Sequence, residues 1–147
     1  MSRGAIDFWF SLGSTYTYLT AMRLPALEQS AGIRFRWRPF YLGNIFKETN
    51  HVPFADKPAK MAYMWRDIER RAQALGIPLT VPAPYPATQV VTANRLAYVG
   101  MQGEWGESFV RASYRQWFQH GNPPGEEPSL TESLKEAGQD PQRALKM

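Results

Sequence analysis

Residues 7–24, DFWFSLGSTYTYLTAMRL, decide the fold. The stretch opens inside an apolar run, Ile6-Asp7-Phe8-Trp9-Phe10, with the β-branched and aromatic content of a buried strand. Ser11-Leu12-Gly13-Ser14-Thr15 is a turn in mostly small residues, and a helical pattern through Tyr18 and Met22 follows it. A strand that turns sharply into a helix presents free N–H groups and the positive end of the helix dipole at the carboxyl edge of a sheet. Such a place holds anions. Ser14 and Thr15 carry the hydroxyls there. Either suits a helix N-cap, and either suits a hydrogen-bond donor to a bound thiolate or oxyanion.

Outward from this stretch, the first helix is expected over 15–31, with Pro25 kinking or splitting it and Gly32 as its stop. Ile33, Phe35 and Trp37 then alternate with Arg34, Arg36 and Arg38, which predicts a second strand with one apolar face. Strand, helix and strand over some thirty residues predict a right-handed βαβ unit with parallel strands. The run 39–46 is too hydrophobic for an idle loop and is expected to pack as a lid or short helix. Pro58 opens a helix in which Met61, Trp65, Ile68, Ala72 and Leu75 share one face, and Gly76 ends it. Residues 78–86, with four prolines, predict an extended connector. Further helices are expected from Thr88, over 105–119, over 130–137 and from Asp140-Pro141. No strand is legible after Gly121, although two parallel strands leave a face and both edges to cover.

At 147 residues and 44% hydrophobic, the chain is expected to be one globular domain, with or without a subdomain. No apolar run approaches the ~20 residues of a membrane span, and the N-terminus lacks a signal-peptide pattern, so a cytoplasmic location is expected. The chain has no cysteine, which excludes disulfides, thiolate nucleophiles and zinc–thiolate sites. With two histidines, His51 and His120, a multi-histidine metal site is not expected. Any sulfur chemistry needs a thiol brought in by a cofactor. Between residues 34 and 71 nine Lys or Arg stand against four Asp or Glu, which suits an anionic small molecule or a solvated helix face. No nucleic-acid motif accompanies that charge.

Five stretches, in order over nearly the whole chain, carry a resemblance. They are residues 10–19, residues 37–46, Pro58-Ala59-Lys60-Met61-Ala62-Tyr63-Met64, the Asp67-Ile68-Glu69-Arg70 helix closing at Leu75-Gly76-Ile77-Pro78, and Ala93-Asn94-Arg95. Together they resemble the 2-hydroxychromene-2-carboxylate isomerases and kappa-class glutathione transferases, relatives of the DsbA oxidoreductases. The resemblance implies an α/β fold. A thioredoxin-like βαβ part (1–47) is followed by an α-helical insertion domain (48–147), without the fold's C-terminal strands, cis-proline loop and last helix. On this expectation the chain is the N-terminal part of such a protein.

The resemblance places Ser14 where the oxidoreductases have their first cysteine, with the role of hydrogen-bonding the thiolate of glutathione. Lys60 matches a lysine that meets a glutathione carboxylate, and Asn50 matches a nearby asparagine with a small offset. Tyr16, Tyr18 and Trp37 are candidates to line an aromatic substrate pocket, with core packing the favoured role for Tyr18 and Trp37. Family members usually have proline after the serine; here it is Thr15. The activity implied is glutathione-dependent cis–trans isomerisation of a small aromatic substrate. The alternatives are a kappa-like transferase and a catalytically silent thioredoxin-like module. Neither nucleic acid nor membrane is an expected partner, and a homodimer is compatible with the resemblance.

Overall fold

The computed structural model describes residues 4–51 and 54–147. Strand β1 (Ala5–Phe10), helix α1 (Thr17–Ala31) and strand β2 (Arg34–Pro39) come first. The strands pair in parallel, with Ile6 opposite Phe35, Phe8 opposite Trp37 and Phe10 opposite Pro39. The period-2 pattern sorts the faces as expected. On one side Phe8, Phe10 and Trp37 meet ring to ring, with centroids 5.1–5.6 Å apart. On the other side Asp7 lies between Arg36 (2.8 Å) and Arg38 (3.2 Å). Among the described residues the sheet has these two strands and no more.

Helix α2 (Leu42–Thr49), a 3-10 turn (Phe54–Asp56) and helix α3 (Pro58–Leu75) follow. The run after β2 is thus helical. Pro58 stands in the first turn of α3, and Gly76 ends it in the left-handed region at φ 65°. Trp65, Ile68 and Ala72 of its apolar stripe are buried, whereas Leu75 is exposed. After a proline-rich connector come α4 (Val90–Gln102), α5 (Gly106–His120), α6 (Ser129–Glu136) and α7 (Pro141–Ala144). Asp140 caps α7, its carboxylate accepting from the N–H groups of Gln142 and Arg143.

The core is organised on α5. Its Phe109, Val110, Tyr114, Trp117 and Phe118 have almost no exposed surface. Tyr18 of α1 stacks on Phe118 with centroids 4.7 Å apart. Each such ring contributes about 1.5–3 kcal/mol by leaving water, which offsets ordering of the irregular connector. That connector is also tied by polar contacts: Trp117 Nε1 donates to the Pro84 carbonyl (2.7 Å), the Tyr18 hydroxyl to the Pro78 carbonyl, and the Thr80 N–H to the Phe118 carbonyl (2.7 Å).

One local expectation is narrowed, since Pro25 does not split its helix, and one is corrected. Helix α1 runs as one element through Pro25. Tyr18, Ala21 and Leu24 are buried before the proline, and Leu27 is packed on the core after it. Tertiary burial on both sides therefore outweighs the lost hydrogen bond. Neither Ser14 nor Thr15 caps α1: the residue at that place is Tyr16, which makes no side-chain cap. The first turn is instead tightened by i→i+3 bonds, Tyr18 N–H to Thr15 O (3.2 Å) and Leu19 N–H to Tyr16 O (3.1 Å). No helix among the described residues is long and apolar enough to cross a membrane. No cluster of metal-ligating side chains occurs among them either.

Candidate functional site

The turn between β1 and α1 is shaped by its own backbone and then clamped by the distant helices. The Ser14 N–H donates to the Ser11 carbonyl at 2.9 Å, closing the turn. Asn94 of α4 accepts from the Leu12 N–H through Oδ1 (3.1 Å) and donates through Nδ2 to the Val90 carbonyl (2.9 Å). From below, the buried Tyr114 hydroxyl donates to the Ser11 carbonyl (3.0 Å) and lies 3.4 Å from the Ser14 carbonyl. Burial pushes the Tyr114 phenol well above its ordinary pKa, so it stays a donor at every working pH. Asn94 and Tyr114 thus fix the peptide groups on which Ser14 is carried.

The hydroxyls of the turn have separate fates. Thr15 is buried and donates to Met64 Sδ at 3.4 Å. Ser11 Oγ is buried without a partner. Ser14 is half-buried and lines a cavity of about 370 Å³. Its side chain makes no hydrogen bond among the described residues. Six rings line the cavity as well, Tyr16 just before α1, Tyr41 and Phe46 at α2, then His51, Phe54 and Tyr85, with aliphatic side chains such as Leu42, Met64 and Val90 between them. The rings brace one another. His51 lies 4.8 Å from Phe46 and 6.4 Å from Phe54, and Tyr85 stands edge-on to Trp65 at 5.9 Å. Gly43 is required beneath Tyr41, where a Cβ would come within 2.4 Å of the ring. A larger groove, about 800 Å³, runs along the outer flank of α4 and shares Tyr41 as a wall. It contains none of the turn hydroxyls.

Tyr16 reaches out of the cavity to α3, its hydroxyl donating to Asp67 Oδ2 at 2.8 Å. Arg71 Nε donates to the same oxygen at 2.9 Å. Burial, then the bond to Asp67, pushes the Tyr16 phenol up to about 12. The bond from Tyr16, followed by that from Arg71, holds the Asp67 carboxyl below its ordinary range. The phenol therefore keeps its proton at neutral pH and cannot itself take a proton from a thiol.

Of the residues singled out in the sequence, Ser14 and Tyr16 line the cavity. Lys60 stands at its rim, with its ammonium 5.7 Å from the ring centroid of Phe54. Asn50 ends α2 in the left-handed region at φ 52°, directly before His51. Trp37 is 5% exposed and packed among Phe8, Phe10 and the Arg111 guanidinium, away from the cavity. Sequence reasoning missed Asn94, Tyr114, Tyr41, Phe46, His51, Phe54 and Tyr85. The one available signal was the unusual hydrophobicity of residues 39–46, which supply Tyr41 and Phe46.

The cavity brings together a free hydroxyl, the start of α1 and flat apolar walls. Those features fit a thiolate with an aromatic partner, with Lys60 at the rim able to meet a carboxylate. Several known proteins are similar to this chain. Glutathione S-transferase kappa 1 of Caenorhabditis elegans is 40% identical over 78 residues, which is 52% of this chain and 34% of that protein. The 2-hydroxychromene-2-carboxylate isomerase of Pseudomonas putida is 31% identical over 117 residues, 71% of this chain and 58% of the relative. That of Sphingobium xenophagum is 28% identical over 137 residues, 92% and 69%. The matched stretches therefore span from about a third to about two thirds of these relatives. A solved structure of a 2-hydroxychromene-2-carboxylate isomerase shares the fold, with a TM-score of 0.81 at 24% identity over 98% of this chain and 72% of the other. The family model of the DSBA-like thioredoxin domain matches residues 5–147, and the chain belongs to that family.

Proposed function

We propose that this chain carries the thiol-activating site of a glutathione-dependent cis–trans isomerase acting on aromatic substrates of the 2-hydroxychromene-2-carboxylate type. The observation that carries the proposal is the unpartnered Ser14 hydroxyl, held on a clamped turn at the wall of an aromatic-lined cavity. Glutathione would supply a thiolate that adds reversibly to a conjugated double bond, allowing rotation before it leaves. Ser14 donates a hydrogen bond to the sulfur anion, and the start of α1 adds the field of its dipole. Tyr41, Phe46 and Tyr85 hold a flat ring by stacking and exclude water. Lys60 meets a carboxylate of the tripeptide, and Asn50 stands beside that contact.

The test is calorimetry of glutathione binding to the 147-residue chain and to Ser14→Ala. A hydrogen bond to a charged atom contributes about 1.5–3 kcal/mol, so the variant should bind on the order of 10- to 100-fold more weakly. Its folding stability should stay within about 0.5 kcal/mol of wild type, because Ser14 makes no internal side-chain bond. Equal affinity in both proteins would refute the role of Ser14. The 40% identity to a kappa-class transferase favours a second reading, in which the thiolate stays on an electrophile. Product analysis separates the two: isomerisation regenerates glutathione, and transfer consumes it.

A further inference from the structure

We propose that His51 is the proton acceptor for the thiol at this site, an assignment that rests on the glutathione reading above. His51 lines the same cavity as Ser14. Its backbone N–H is anchored on the Phe46 carbonyl at 3.0 Å, and its ring is flanked by Phe46 at 4.8 Å and Phe54 at 6.4 Å. Neither ring nitrogen has a hydrogen-bond or ion-pair partner among the described residues. Both are therefore free to exchange a proton with whatever enters.

The other groups around the cavity cannot take this role. Tyr16 keeps its proton on Asp67. Tyr41 and Tyr85 are phenols, a class of side chain that holds its proton more tightly than a thiol does. The Thr15 hydroxyl is occupied by Met64, and Ser14 is a donor without a base of its own. No Asp, Glu or Lys lines the cavity. The charged side chains on the surrounding elements are Lys47 and Glu48 of α2, Asp56 in the 3-10 turn, and Lys57 and Lys60 at the start of α3. All are exposed, and none forms an ion pair with the imidazole among the described residues. Among the described residues of the lining, His51 is left as the imidazole, the side-chain type suited to accepting and returning a proton.

In the step proposed, the thiol S–H bond breaks and an N–H bond forms on the imidazole. The electron pair stays on sulfur. The result is an imidazolium–thiolate pair, with Ser14 donating to the sulfur from its own side. On release the proton returns to sulfur, so no oxidant, reductant or further reactant is needed. An adjacent imidazolium is a known means of lowering a thiol pKa by several units. Ser14 then stabilises the anion and His51 removes the proton.

The test follows the thiolate directly, by its absorbance near 240 nm in mixtures of glutathione with the 147-residue chain between pH 5 and 9. His51→Gln is compared with wild type, with His120→Gln as the control at the far end of α5. The expected result is bound thiolate in wild type below the ordinary thiol pKa, and a rise of at least one pH unit in its midpoint for His51→Gln alone. Nuclear magnetic resonance of the His51 imidazole in wild type supplies a readout that needs no variant. Its titration midpoint should move up when glutathione binds. Thiolate formation unchanged by His51→Gln, or a His51 midpoint unmoved by bound glutathione, would overturn the assignment while leaving Ser14 in place. If the folded wild-type chain bound no glutathione, the glutathione reading and the His51 role would both be overturned.

Discussion

Replacing Asn94 with alanine tests whether the helices hold the Ser14 turn. The amide oxygen accepts from the Leu12 N–H across 82 residues of chain, and Leu12 has no exposed surface. Alanine leaves that N–H buried without an acceptor, at a cost of about 1–3 kcal/mol. The Val90 carbonyl loses only a second donor, since its own helix still supplies one. A central value of about 2 kcal/mol, divided by an unfolding entropy near 0.3 kcal/mol/K for a chain of this size, gives a fall in Tm of about 6 °C. Thermal and urea unfolding followed by circular dichroism and tryptophan fluorescence measure it. Amide hydrogen exchange locates it: protection of the Leu12 N–H should fall more than that of the α5 core. Glutathione affinity should drop with it, because Ser14 rides on the same turn. A loss below about 0.5 kcal/mol with unchanged Leu12 protection would refute the clamp.

Three further outcomes are expected. Gly125 has φ 89°, and a Cβ there would lie 1.7 Å from the Gln89 carbonyl oxygen, so Gly125→Ala should cost at least about 2 kcal/mol in urea unfolding. A variant as stable as wild type would dissolve that contact. Trp37→Phe should lower stability by about 1–3 kcal/mol through lost core volume and leave ligand affinity unchanged, whereas a selective loss of affinity would bring Trp37 into the site. The Tyr16 phenol has a folded pKa of about 12 against an unfolded value of ~10. Its stabilising contribution is therefore complete below pH 10 and lost as pH rises towards 12. The phenolate absorbance difference between wild type and Tyr16→Phe should step near 12, and a step near 10 would break the Tyr16–Asp67 bond as described.

Local chemistry made much of the fold legible. Alternation from Ile33 to Arg38 marked β2, Gly32 and Gly76 marked helix ends, and Asp140-Pro141 marked a helix start, because each of these signals acts within a few residues. The helix-capping expectation for Ser14 or Thr15 failed for a tertiary reason: Thr15 turns inward to Met64, and the chain tightens instead of capping. Pro25 does not split α1 because burial on both sides of it holds the helix together. At the site, the position of Ser14 was readable from strand, turn and helix alone. Beyond Tyr16 its cavity was not, since Tyr41, His51 and Tyr85 come from segments whose spacing shows no period. Asn94 and Tyr114 were invisible as clamps because nothing in a helical stripe says which inward residue will meet a carbonyl or an N–H some hundred positions away.

The clamps also set an order in time. The turn at residues 11–14 leaves the ribosome before its clamps, since Asn94 and Tyr114 are made 82 and 103 residues later. At ~5–20 residues per second, Ser14 spends roughly 5–20 s without its final backbone partners. The nascent β1 strand, with Trp9 62% exposed even in the folded chain, is uncovered through that interval. The site is thus completed only when α5 has been made, because the turn that carries Ser14 draws its backbone partners from helices later in the chain.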